Sequence, residues 1–145
     1  MSFILAACLV IAVVDGDTLT ALCDQQQVKV RLAETDAPEK KQPFGQRSKK
    51  SLSEMCFNKQ AVITAQGTDR YHRIIARVVC DGTDANAEQL KRGMACVYDK
   101  YVKDKSLYAV QDEARALKTG LWADANPMAP WVWRHNYSYS PVTTH

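Results

Sequence analysis

Five polar residues stand where local structure has little use for them. Asp17 opens a returning strand in "VVDGDTLTALC" (Val13 to Cys23), where strand propensity disfavours aspartate. Arg31 lies in a third β-rich run, and "ETDAPE" sets Asp36 and Glu39 just past its end, with Pro38 stiffening the loop. Arg73 starts the strand in "TDRYHRIIAR". Carboxylates beside arginines suit phosphodiester cleavage. Carboxylate oxygens gather a hard cation. The cation and the arginines neutralise charge building on phosphoryl oxygens, arginine by bidentate contact. One carboxylate is left to activate water. Asp15, in the turn dipeptide Asp15-Gly16, has a structural use instead. Taken singly, each of these residues is more often structural than catalytic, and Arg31 and Arg73 could simply pair with Asp36 and Glu39 as surface ion pairs of little worth.

The elements that must position these groups follow from periodicity. Strands are expected at 7–14, 18–23, 28–34, 60–66 and 73–80. In the third, Val28, Val30 and Leu32 form a buried face and Lys29, Arg31 and Ala33 an open one. Helices are expected after Gly45 ("QRSKKSLSEMC"), in "NAEQLKRG" with Asn86 as N-cap, and in "SLYAVQDEARALKTG". The last has Ser106 as cap, an apolar stripe of Leu107, Val110, Ala114 and Leu117, and Gly120 as terminator. Five twisted strands with one polar face tend to close, so the expectation is an α+β domain: a five-stranded OB-fold β-barrel with three helices. At 145 residues the chain suits one domain, with a core over about 7–122 and a Pro-, Ser- and aromatic-rich tail over 123–145 draped across it. Trp131 and Trp133 read as cover over the barrel. The net charge of +3 permits a polyanionic partner without requiring one. "EKKQPFGQRSKK" reads equally as a solvated face or as a nucleic-acid rim.

Five cysteines include no C-x-x-C pair, which argues against a zinc ribbon or a thioredoxin-type site. A two-residue loop at Asp15-Gly16 sets Cys8 opposite Cys23 as a hydrogen-bonded pair about 5.5 Å apart, within reach of a disulfide. Cys56 and Cys80 are the next pair, and Cys96 is left as a buried thiol. Other connectivities, or five thiols in a cytosolic protein, stay open. Two disulfides imply an oxidising compartment, periplasmic or secreted. The uncharged start, "SFILAACLVIAVV", is too short to span a bilayer and lacks a basic n-region. It reads as a buried first strand from about Ala7, preceded by the stub of an export signal; a membrane anchor is the weaker reading.

From about Cys8 to Trp122 the chain resembles the staphylococcal-nuclease-like (thermonuclease) family, through "DGDT", "RLAETDAPE", "TDRYHR", "NAEQLKRGMA" and the helix ending "GLW". Any one piece is weak; their order and spacing together are specific. The resemblance implies the OB-fold with three helices and a Ca²⁺-dependent, sugar-nonspecific endonuclease acting on DNA and RNA, leaving 5′-hydroxyl and 3′-phosphate ends. Position by position, Asp17 and Asp36 match the calcium aspartates. Ala37, where threonine is frequent, would contribute its backbone carbonyl. Arg31 and Arg73 match the catalytic arginines, and Glu39 the general base. Arg70 and Tyr71 match positions gripping a terminal phosphate. Tyr98 and Tyr101 both stand for the nucleotide-pocket tyrosine, unranked. His72 occupies a spot that is frequently glycine. A monomer with no stable membrane association is expected. One alternative is a silent OB-fold module binding nucleic acid or peptide, which should have lost acidic or arginine positions; none is lost. Another is a phosphoryl-transfer enzyme acting on small nucleotides.

Overall fold

The computed structural model describes residues 3–138. Among these the strands are β1 (Phe3–Asp15), β2 (Thr18–Cys23), β3 (Gln26–Leu32), β4 (Thr35–Asp36), β5 (Gln60–Thr68), β6 (Ile74–Cys80), β7 (Thr83–Asp84) and β8 (Cys96–Val97). The helices are α1 (Gly45–Cys56), α2 (Ala85–Lys91), α3 (Leu107–Ala116) and α4 (Pro130–Ser138), with a 3-10 turn at Gly120–Ala123. Five strands run as neighbours in the order β3-β2-β1-β5-β6. The ring closes where β6 pairs in parallel with β3, Val30 opposite Ile74, Arg31 opposite Ile75 and Leu32 opposite Ala76. Closure pairs both outer strands, the usual solution for a twisted sheet with exposed edges. The result is the expected α+β OB-fold barrel.

Strand alternation fills its interior with Val10, Leu19, Ala21, Val30, Leu32, Ile63 and Val78, and Leu52 and Met55 of α1 join the same cluster. A second cluster, Leu90, Ala95, Val97, Val102 and Leu107, binds α2, α3 and β8 together. β1 is longer than expected: residues from Phe3 onward pair with β5, so the apolar start is strand well before Ala7. No helix among the described residues is long and apolar enough to cross a bilayer.

The β1–β2 hairpin departs from its expected turn. Asp15 pairs with Thr18, so the loop is Gly16-Asp17 rather than Asp15-Gly16. Two register shifts, between Val13 and Asp15 and between Val10 and Ala12, then restore Cys8 opposite Cys23. Their Cα atoms are 4.3 Å apart, near the roughly 4.5 Å of a non-hydrogen-bonded pair rather than the expected spacing. Asp17 thus sits in the turn itself. Gly16 is required there, because a Cβ would lie 1.8 Å from Ser48 Oγ on α1. Gln89 Nε2 of α2 donates to the Gly16 carbonyl at 2.7 Å, so two helices clamp the turn.

Three helix expectations change. Asp84 caps α2, its side chain accepting from the Ala87 amide. Asn86 is wholly buried instead, accepting from the Val78 amide and donating to the Ala33 and Ala76 carbonyls. Leu117 leaves the α3 stripe and is exposed, because α3 ends at Ala116. Ser106 precedes α3 but makes no capping bond; its hydroxyl donates to Asp104. The fourth helix, α4, stands in the segment expected to drape. Pro130 at its first position is the ordinary place for proline in a helix.

Cys8–Cys23 and Cys56–Cys80 are bonded, and Cys96 is free and buried. Ala61 of β5 pairs with Cys8 on one side and with Cys80 on the other, so both bonds cross-link the barrel end remote from the Asp17 turn. Reduction should cost about 2–4 kcal/mol per bond. The check is urea unfolding with and without dithiothreitol; an unchanged midpoint would remove the bonds from the account of stability.

Candidate active site

At the opposite end, β3 delivers Arg31, β4 delivers Asp36 and the clamped hairpin turn delivers Asp17. Arg31 Nη1 lies 3.3 Å from Asp17 Oδ2, and Nη2 donates to Asp36 Oδ1 at 3.2 Å. Nη1 also donates to the carbonyls of Leu32 and Thr35 at 2.6 and 2.9 Å. The face of β3 expected to be open stays so at Lys29 but is covered at Arg31, whose side chain is only 14% exposed; that of Asp36 on β4 is 0% exposed. Asp36 is held by a two-residue ladder to β8, paired with Cys96. Asp17 Oδ2 accepts from the Ala37 amide at 2.7 Å, joining hairpin and loop. Asp15 Oδ1 accepts from the Asp17 amide, so Asp15 shapes the turn as expected. Glu39 follows on a loop fixed in two ways. Its backbone exchanges hydrogen bonds with Gln42, and Gly45 packs against it where a Cβ would come 1.9 Å from the Glu39 carbonyl oxygen.

The electrostatics are those of crowded acid. Burial pushes the Asp36 carboxyl up to about 6, with Asp17 adding to the rise and Arg134 and Arg31 opposing it. Burial, then Asp17, raises the Asp15 carboxyl above the usual carboxylate range. Burial works against the charge of Arg31, but Asp17 and Asp36 more than offset it and hold the guanidinium protonated. Burial and the nearby Asp36 push the Cys96 thiol up to about 12, so it is an inert packing group.

Arg73 stands apart from this cluster. Its Nε donates to Asp69 Oδ2 at 2.7 Å, and its guanidinium lies over the Tyr71 ring at 5.5 Å. It directly precedes β6, two residues before the Ile75 that faces Arg31. Arg70 donates to the Tyr71 hydroxyl at 2.9 Å, and Tyr71 is exposed. These three form a lobe on the β5–β6 loop. His72 there has φ of 65°, a left-handed conformation in which glycine is unstrained. Tyr98 and Tyr101 now separate. Arg31 lies 6.0 Å from the Tyr98 ring centroid, whereas Tyr101 meets Tyr98 by an edge-on ring contact and by its amide, which donates to the Tyr98 carbonyl at 2.9 Å. Ala37 contributes its amide to the site through Asp17.

Sequence reasoning missed the group that ties the acids together. Arg134 of α4 donates from Nη1 to Asp36 Oδ1 and Glu39 Oε1, both at 3.0 Å, and from Nη2 to Asp36 Oδ2 at 2.5 Å. Beside it Trp131 stacks on Tyr98, centroids 5.5 Å apart and planes 6° from parallel. The available signal was Pro130 opening a run whose one strong cation is Arg134.

Glu34 was missed for another reason: it read as the end of a strand. It turns left-handed at φ 68°, ending β3 early. Its Oε1 accepts from the Lys103 and Asp104 amides, both at 2.7 Å, and Oε2 from Gln66 Nε2 at 2.8 Å. Burial alone would raise its pKa, but the Asp104 amide, Gln66, the Lys103 amide and Arg77 together bring it below the ordinary 4.5. A lowered carboxyl stabilises the fold above the ordinary value and loses that contribution as pH falls through the folded one. Glu34→Gln should cost about 2–3 kcal/mol at pH 7 and flatten the loss of stability below pH 4.5, read from urea midpoints against pH. A variant with the parent's acid profile would refute this.

Among the described residues no group of three or more His, Cys, Asp or Glu side chains gathers as a ready metal cage. The acid cluster instead has two aspartates on one arginine at the mouth of a closed barrel, which defines the class: an OB-fold protein with a carboxylate-and-guanidinium cluster at one barrel end. The chain belongs to the staphylococcal nuclease homologue family, which matches residues 29–124. It is 46% identical over 128 residues to a Haemophilus influenzae protein named "Uncharacterized endonuclease", covering 88% of this chain and 72% of that one. A "Micrococcal nuclease" of Shigella flexneri is 37% identical over 136 residues, covering 86% and 78%. A staphylococcal-like nuclease of Arabidopsis thaliana is 35% identical over 111 residues, covering 77% and 34%.

Proposed function

We infer that this protein is a calcium-dependent, sugar-nonspecific endonuclease that hydrolyses DNA and RNA phosphodiester bonds to 5′-hydroxyl and 3′-phosphate ends. What carries the reading is the meeting of Asp17, Arg31 and Asp36 at one barrel mouth, with Glu39 joined to them through Arg134, in a chain related to proteins named nucleases. The donors suit a hard cation: Asp17, Asp36 and the Ala37 carbonyl offer oxygen alone and would hold calcium between them. Such an ion would supply positive charge to the phosphoryl oxygens. The chain's own residues do the rest. Glu39 takes the proton of a water attacking phosphorus in line, opposite the departing 5′-oxygen. Arg31 and Arg73 stabilise the negative charge that develops on phosphorus-bound oxygens. Arg70 and Tyr71 hold a terminal phosphate, and Tyr98 and Tyr101 flank the base. Lys40, Lys41 and Arg47, exposed around the Glu39 loop, favour a polyanion by charge. The two disulfides suit a periplasmic or secreted protein.

The test incubates purified protein with DNA and with RNA in calcium, then in a chelator. Cleavage that stops on chelation and returns with calcium is expected. Binding without cutting would instead favour the silent module. Digestion of mononucleotide diesters but not of long strands would favour the small-nucleotide reading.

A further inference from the structure

The side chains expected to receive calcium and a base are already occupied by the protein itself. Both Asp36 oxygens accept from Arg134, and Oδ1 also accepts from Arg31, while Glu39 Oε1 accepts from the same Arg134 Nη1. One face of the Tyr98 ring is covered by Trp131 one helical turn earlier. We propose that α4 is a strap across the acid cluster. Its Arg134 guanidinium stands in for the divalent cation at Asp36, and its Trp131 stands in for a nucleobase on Tyr98.

The mimicry is chemical. A guanidinium fork and a calcium ion satisfy the same two carboxylate oxygens and cannot do so together. An indole and a base present the same flat π-face to a tyrosine. The strap is also built to lift. Residues 123–128, which lead into α4, are all exposed, as is Val132 on the helix, and Arg134 itself is 31% exposed. Gln42, which pins the Glu39 loop, also donates to the Met128 carbonyl at 3.1 Å, so the base of the strap is tied to the loop it regulates.

This rests on the nuclease reading of the site and adds a closed state to it. If the competent state is open for about 1–10% of the time, the apparent cation affinity falls by the reciprocal of that fraction. Arg134→Gln removes the stand-in cation, and Arg134→Lys keeps the charge but loses the fork. Calcium chloride titrated calorimetrically into the full chain should then bind about 10- to 100-fold more tightly to Arg134→Gln than to the parent, with Arg134→Lys between. Independently of any variant, calcium should lower amide-exchange protection across 130–138 in the parent protein. Equal or weaker binding by Arg134→Gln, or protection unmoved by calcium, overturns the strap. If the parent cleaves DNA with calcium while either of those results holds, only the strap falls. If neither parent nor variants bind calcium at millimolar concentration, the strap and the metal reading fall together.

Discussion

Glu39→Gln should leave a folded, calcium-binding protein whose cleavage of DNA is slower by about 10²- to 10⁴-fold, the usual worth of a positioned general base. The Glu39 side chain is 38% exposed, and its loop is held by backbone contacts with Gln42 and Gly45 that the substitution leaves untouched. The one ion pair removed, with Arg134 at 3.0 Å, is partly solvated and worth about 1 kcal/mol or less. Single-turnover cleavage beside calorimetric calcium titration separates the two effects. A variant that cuts like the parent would show the proton going elsewhere. One that loses both calcium binding and fold would show Glu39 to be architectural.

The two arginines proposed for the transition state should fail in different ways. Arg31→Ala leaves the buried Asp17 and Asp36 without their shared cation, a loss of the kind that costs about 3–5 kcal/mol. It also empties two carbonyl contacts within the β3–β4 turn. Arg73→Ala breaks one pair with Asp69, with Arg73 28% exposed, and should cost about 1 kcal/mol or less. Asp69 still accepts from the Tyr71 and residue-73 amides, so that turn survives. In rate both should fall about 10²- to 10³-fold, the scale for a donor aimed at developing charge. Urea midpoints and kcat measured on the same preparations make the contrast visible. Equal destabilisation by the two substitutions would refute the burial argument, and an unimpaired Arg73→Ala would remove Arg73 from the chemistry.

The parts of this molecule legible in its sequence are those governed by local period and by single junctions. Val30 and Leu32 announce their inward face, and Asp36 and Glu39 announce themselves by following a strand in a proline-stiffened loop. Even where a local rule misled, a larger constraint recovered it: the turn was placed one residue early, yet two bulges return Cys8 to Cys23. What stayed hidden depends on distant partners. Asn86 has every attribute of a cap, but the Val78 amide and the Ala33 and Ala76 carbonyls engage it in the interior while Asp84 takes the cap. Glu34 extends a strand by pattern, and only the Lys103 and Asp104 amides explain why it bends away. Arg134 lies 98 residues from Asp36, a separation at which no spacing rule speaks.

The order of the cysteines along the chain sets how the molecule can come apart. Each cross-link closes a short loop of its own, 15 residues apart in one and 24 in the other, and the loops do not overlap. No covalent bridge joins the hairpin carrying Asp17 to the half of the chain carrying β5, β6 and the helices. A protease cut at the exposed Lys40-Lys41 pair would therefore yield two fragments that part on a non-reducing denaturing gel. In native buffer they would be held as a complex by non-covalent contacts alone: the barrel's strand pairing and apolar filling, and polar bonds such as Gln89 to Gly16, Asn86 to Ala33 and Arg134 to Asp36.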